Sequence, residues 1–110
     1  MKHLFSEAFK SELSNSKVIA TATISKIEDA VPIGEALLSG GINTIEVTLR
    51  TPAALGAMKA LADNLPEINI IAGTVIDQDQ VSQVIDAGAI CGVSPGLNQK
   101  ILDEALALKF

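Results

Sequence analysis

Cysteine and histidine are almost missing: Cys91 and His3 each stand alone among 110 residues. One thiol cannot close an internal disulfide, and one Cys with one His builds no usual zinc constellation. Tryptophan and tyrosine are absent. Positive charge is scarce, with 8 Lys and Arg against 13 Asp and Glu, a net charge of −5 and a pI near 4.6. No basic patch is present to displace counterions from a phosphate backbone, which argues against a nucleic-acid binder. No apolar run approaches the roughly 18 residues of a membrane span. The opening residues, Met1 to Glu7, carry an acid early and lack an h-region, so no signal peptide is expected and a reducing cytoplasm is the expected location. The glycines form neither G-x-G-x-x-G nor a P-loop, so there is no nucleotide fingerprint. No linker, low-complexity tract or charge run divides the chain, and residues 1–110 read as one domain.

Apolar residues make up 48% of the chain, too many for a disordered one. They fall into a weak repeat. Apolar, β-rich stretches begin near Val18, Asn43, Ile68 and Ile90, about 25 residues apart, close to the 30 or so of a βαβ unit. Stretches of helical periodicity lie between them, so the alternation reads as parallel strands with crossover helices.

Strands are expected at Val18–Ile24, Thr44–Leu49, Asn69–Val75 and Ile90–Ser94, with a short amphipathic helix over Leu4–Leu13 ahead of them. Ser25 with Glu28 has the pattern of a capping box, and Pro32 makes the helix after it start late or bend. Gly40-Gly41 suits a left-handed C-cap. Thr51-Pro52 reads as an N-cap with proline at N1, and Pro66 closes the helix that carries Leu55, Met58, Leu61 and Ala62. Asp77 with Gln80 is a second capping-box pattern. Val81, Val84 and Ile85 form an apolar face that Gly88 ends. Asn98 caps a last helix carrying Ile101, Leu102, Ala105 and Leu106, and Phe110 falls where a fifth strand would begin. Four β/α units fit either a small open, doubly wound sheet or half of an eight-stranded barrel, which usually takes about 250 residues.

Thr44-Ile45-Glu46-Val47-Thr48-Leu49-Arg50 carries the most chemistry. Alternation puts Ile45, Val47 and Leu49 on one face and Thr44, Glu46, Thr48 and Arg50 on the other. Parallel strands are normally apolar on both faces, so a carboxylate in mid-strand needs a reason. Glu46 and Arg50 lie about 13 Å apart along a strand and cannot pair directly while it stays extended. Arg50, the sole arginine, sits at the C-terminal strand end, where α/β sheets and barrels bind substrates. Glu46 is therefore either a structural acid hydrogen-bonded inside the sheet or a catalytic one. Thr74 closes the third strand on the face of Ile70 and Ala72. Gly73 permits a close approach of backbone or ligand. Ser94-Pro95-Gly96 closes the fourth strand, as an ordinary turn or a pocket wall. Thr21 and Thr23 either line a barrel lumen or serve only as β-formers. His3 reads as solvated and Cys91 as a buried, inert thiol.

Ile45-Glu46-Val47-Thr48-Leu49-Arg50-Thr51, Ala72-Gly73-Thr74-Val75 and Val93-Ser94-Pro95-Gly96 together resemble the bacterial 2-keto-3-deoxy-6-phosphogluconate aldolases, also known as 4-hydroxy-2-oxoglutarate aldolases. Glu28 to Leu37 and Gly40-Gly41 match in order and spacing. The resemblance implies the N-terminal (β/α)4 half of a TIM (β/α)8 barrel, from a metal-free, cofactor-free class I aldolase that is usually a homotrimer and yields pyruvate and an aldehyde. It implies that Glu46 is the general acid/base, that Arg50 and Thr74 hold the pyruvate carboxylate, and that Pro95 lines the pocket. A guanidinium fork suits a carboxylate. The family's Schiff-base lysine, on its sixth strand, has no counterpart among Lys2, Lys10, Lys17, Lys26, Lys59, Lys100 and Lys109; Lys26, just after the first strand, is the sole conceivable substitute. Three expectations follow: half of an enzyme that needs its other half, a non-catalytic self-associating half barrel, or a small α/β binding module.

Overall fold

Ser6 opens the first helix. In the computed structural model, which describes residues 5–110, the Ser6 hydroxyl accepts the Phe9 amide and α1 runs Glu7–Ser16. The cap sets the helix later than the expected Leu4–Leu13, because an N-cap serine satisfies an otherwise orphaned amide. Leu4 and His3 lie outside the described residues. Lys17, in the left-handed region at φ 58°, turns the chain out of α1.

Four strands follow: β1 (Ala20–Ala22), β2 (Thr44–Thr48), β3 (Asn69–Gly73) and β4 (Cys91–Gly92). All adjacent pairs are parallel, and the sheet order is β1-β2-β3-β4. Between them run α2 (Ala30–Ser39), α3 (Ala54–Asn64) and α4 (Asp79–Asp86), and α5 (Gln99–Ala107) follows β4. The two outer strands, β1 and β4, are much shorter than expected. Each has a ladder on one side only, so its flanking residues Val18, Ile19 and Val93 stay exposed.

The helices cover one face. Ile45, Val47, Ile70 and Ala72 of the sheet are buried in a single core with Ala30 of α2, Met58 and Leu61 of α3, Val81 and Val84 of α4 and Ile101 of α5. A doubly wound sheet splits its helices between both faces and reverses its strand order. Here the helices that follow the strands, α2–α5, all lie on one face and the strand order does not reverse, so the open doubly wound alternative is set aside and the sheet has the consecutive order of a barrel wall. Among the described residues the other face carries a small cluster, in which Phe9 of α1 packs with Ile71 and Cys91.

The local signals divide by what surrounds them. Gly40-Gly41 forms a Schellman ending: Gly41 takes φ +81°, and the Ile42 amide bonds the Leu37 carbonyl at 2.9 Å. Gln80 reaches back to the Asp77 amide at 3.1 Å, as a capping box requires, and Asn98 caps α5 through the Lys100 amide. The box at Ser25 does not form. A 3₁₀ turn over Ile27–Asp29 intervenes, and α2 starts at Ala30 with Pro32 in its first turn, where no amide partner is needed. Thr51 does not cap α3 either. Its hydroxyl donates to the Ile24 carbonyl at 2.5 Å, tying the ends of β1 and β2 together, and the helix begins at Ala54.

Met58 is fully buried in the helix–sheet core, whereas Leu102 of α5 is 41% exposed. Met58→Ala is expected to cost about 2–5 kcal/mol in chemical denaturation, and Leu102→Ala under about 1 kcal/mol.

Candidate functional site

The site grows from the alternation of β2. Ile45 and Val47 turn into the helix core, so Glu46 stands on the opposite face. Parallel register aligns it with its neighbours: Thr21, Glu46 and Ile71 are partners across β1, β2 and β3, and Ile71 pairs with Cys91 of β4. One row thus crosses the sheet as hydroxyl, carboxylate, sec-butyl and thiol. Thr21 lies in this row and Thr23 in the next, where its hydroxyl meets that of Thr48 at 3.0 Å. Both threonines line the open face.

Glu46 is half-buried. Its side chain lies over Gly73, which has no Cβ to oppose it. Among the described residues it has neither a hydrogen-bond nor an ion-pair partner, and neither carboxylate oxygen is buried. Its charge is still felt nearby. Burial, and after it the Glu46 carboxylate, raise the Cys91 thiol from 9.0 to about 11. Cys91 is therefore a protonated, buried thiol at neutral pH and no nucleophile, as its mid-strand position suggests.

The other candidates gather at the C-terminal ends of the strands. β2 stops at Thr48, so Arg50 sits in the following turn, exposed, and alternation no longer fixes its direction. That corrects the expectation that Arg50 shares the Glu46 face by strand geometry. The Leu49 amide bonds the Gly73 carbonyl at 2.8 Å, which brings this turn beside the end of β3. Thr74 follows Gly73 directly. Alternation would put it with Ile70 and Ala72 in the helix core. Instead it adopts φ 60°, an outlying value for a β-branched residue, and the alternation breaks there. The Val75 amide then bonds the Val93 carbonyl at 3.1 Å, and the Ser94 hydroxyl donates to the Val75 carbonyl at 2.6 Å. These bonds place the exposed Pro95 loop next to the Thr74 turn. Sequence reasoning missed the role of Ser94, although a hydroxyl beside a proline turn is a common backbone tie.

Lys26 is exposed and extended just beyond β1, where it precedes the 3₁₀ turn. No lysine occupies a strand among the described residues, nor do three metal-ligating side chains cluster there. An apolar cleft of about 250 Å³ lies between the end of β4 and α5, lined by Phe5, Val75, Cys91, Leu97, Ile101 and Phe110 among others. Among the described residues its lining includes none of Glu46, Arg50, Thr74 or Pro95 and no charged side chain.

Comparison with known proteins gives one family. Residues 9–110 match the aldolase family described as KDPG and KHG aldolase. The chain is 41% identical over 96 residues to a KHG/KDPG aldolase of Escherichia coli K12, covering 87% of this chain and 45% of that protein. It is 44% identical over 92 residues to a 2-dehydro-3-deoxy-phosphogluconate aldolase of Zymomonas mobilis, covering 84% and 44%. A crystal structure of the 2-keto-3-deoxy-6-phosphogluconate aldolase of Zymomonas mobilis ZM4 with 3-phosphoglycerate is similar at TM-score 0.83 and 41% identity, over 91% of this chain and 47% of that one. A Legionella pneumophila KDPG aldolase with pyruvate captured as a covalent carbinolamine is similar at TM-score 0.81 and 42% identity, over 87% and 47%. The chain spans about half the length of the curated relatives it matches.

The pairing of Glu46 with Cys91 can be measured. Glu46→Gln removes the smaller of the two causes, so the Cys91 pKa is expected to fall while staying above 9.0. With no tyrosine or tryptophan in the chain, ultraviolet absorbance of the single thiolate follows it cleanly; an unchanged titration would separate the two groups. The raised pKa also sets a pH dependence. The folded state keeps a proton that the unfolded state releases, so stability is full below pH 9 and declines as pH climbs from 9.0 towards 11. Cys91→Ala is expected to remove that part of the alkaline loss in pH-dependent denaturation.

Proposed function

The chain belongs to the KDPG and KHG aldolase family, and from that membership we propose that it supplies the general acid/base and the carboxylate clamp of a class I aldolase. The substrate is 2-keto-3-deoxy-6-phosphogluconate or 4-hydroxy-2-oxoglutarate, cleaved to pyruvate and an aldehyde. Residues 1–110 form the N-terminal half of the barrel, as one domain. The observation that carries the reading is the Glu46 carboxylate, without a hydrogen-bond or ion-pair partner among the described residues, on the one sheet face that helices α2–α5 leave open.

In this reading an amine adds to the C2 carbonyl, giving a carbinolamine that loses water to an iminium. The iminium takes up the electron pair when the carbon–carbon bond breaks. Glu46 moves protons at the carbinolamine and, after cleavage, at the pyruvate methyl. Arg50 and Thr74 hold the keto-acid carboxylate, because a guanidinium binds it bidentately at the strand ends. Pro95 forms the wall beside them. Pyruvate captured as a carbinolamine in the Legionella relative supports this class of chemistry. The amine comes from outside these 110 residues, since no strand among the described residues carries a lysine. The completed enzyme is a cytoplasmic homotrimer without metal or cofactor, and its ligand is a small keto acid rather than a nucleic acid or a membrane.

A second reading, the non-catalytic self-associating half barrel, is favoured by one feature. β1 and β4 each pair on one side only, beside exposed Val18, Ile19, Ile90 and Val93. Unpaired parallel edges with apolar flanks favour association. Light scattering on the 110-residue chain is expected to give more than a monomer in that case.

Borohydride reduction in the presence of pyruvate is expected to leave the 110-residue chain unmodified by mass spectrometry. A pyruvate adduct on Lys26 would overturn the statement that the amine lies elsewhere. In the complete barrel, Glu46→Gln is expected to lower turnover by roughly 10²–10⁴, the worth of a positioned general acid/base; an unaltered rate would reduce Glu46 to a structural role.

A further inference from the structure

We propose that Gly73 is a positioning residue for Glu46: its missing side chain is the seat in which the carboxylate rests. This deepens the reading of Glu46 as the acid/base and rests on it. A Cβ built on Gly73 would collide with the Glu46 Oε1 and come within 2.9 Å of both Cδ and Cγ. The last three positions of the acid's side chain therefore all lie against this one glycine.

The ordinary reasons for a glycine do not apply at this position. Gly73 is not among the positive-φ residues; Gly41 and Gly88 are the glycines that need that freedom. Its backbone stays in the ladder, paired with Thr48 and accepting the Leu49 amide at 2.8 Å. Its partner in the close approach is also unlike the others. Added side chains at Gly34, Gly56, Gly88 and Gly92 would meet Leu65, Ile27, Ala62 and Phe110. Those are apolar packing contacts. Only at Gly73 does the crowded neighbour carry a titratable group.

The placement has a consequence for substrate. Thr74, the next residue, takes φ 60° and leads into the turn that bonds β4. The glycine that seats the acid is thus joined by a single peptide to the residue proposed for the carboxylate clamp. A shift at position 73 moves proton donor and clamp relative to one another, so Gly73 fixes their spacing along the bound keto acid.

A double-mutant cycle tests this on the 110-residue chain without any need for turnover. Gly73→Ala is expected to lower Tm by about 5 °C, and by less than half as much when Glu46→Ala has already emptied the seat. Gly56→Ala, which crowds Ile27 instead, is expected to cost the same in both backgrounds. Titration of the Cys91 thiolate supplies the readout that a merely structural role would not move: Gly73→Ala displaces the carboxylate and shifts the Cys91 midpoint towards that of Glu46→Gln. If Gly73→Ala alone does not fold, a folded Glu46→Ala/Gly73→Ala chain supports the seat and an unfolded one overturns it. Equal Tm losses with and without Glu46, with an unmoved thiolate titration, also overturn it. Pyruvate trapping in the complete barrel tests the aldolase reading separately, so the two failures are distinguishable.

Discussion

A carboxylate side chain laid over a glycine, in the middle of an apolar parallel sheet, is the contact on which the proposed site depends. Glu46 is flanked on its own strand by Ile45 and Val47, both fully buried in the helix core. The alternation that buries those two residues forces the acid to the other side. An acid there needs room, solvent or a partner, because an unpaired buried charge costs several kcal/mol. Gly73 supplies the room, and the open face supplies water. Cys91, in line with it two strands away, holds its proton more tightly because it is buried and, to a smaller degree, because the carboxylate is near.

The one-sided helix layer gives that contact its chemical setting. Consecutive strand order places α2 to α5 over a single face, where they bury the apolar half of each strand. The opposite face keeps threonines, the acid and the thiol, and α1 touches it through Phe9. All four strands run the same way, so their C-terminal ends open on one rim. There the backbone ties from Leu49 to Gly73 and from Val75 to Val93 set the Arg50, Thr74 and Pro95 turns side by side. In enzymes built on such a barrel the functional residues come from the ends of several strands and meet at a single mouth.

Much of this was legible in the residues because the signals involved are local. The polar stripe Thr44, Glu46, Thr48 follows from a period of two. The Gly40-Gly41 ending, the Asp77–Gln80 box and the Asn98 cap each rest on groups within a few residues of one another. What resisted reading depends on distant partners. Thr51 has the chemistry of an N-cap, but the Ile24 carbonyl of another strand end takes its hydroxyl. Ser25 has a box pattern that a 3₁₀ turn replaces, although the late helix start expected from Pro32 is what α2 shows. Thr74 was assigned a face by alternation, and its φ of 60° breaks the alternation at the one point that matters for the site. Arg50 escaped in the same manner, since β2 ends two residues before it. Gly73 was visible as a point of close approach, but which group approaches it becomes clear only across the β2–β3 register.

In the proposed function the rim of the open face, and not the apolar cleft beside α5, receives the keto-acid carboxylate. Isotope-edited NMR of the 110-residue chain titrated with pyruvate tests it most directly. Shift changes centred on Glu46, Arg50 and Thr74, abolished by Arg50→Met, are expected. Changes concentrated on Leu97, Ile101 and Phe110, or a response that survives loss of the guanidinium, would contradict it.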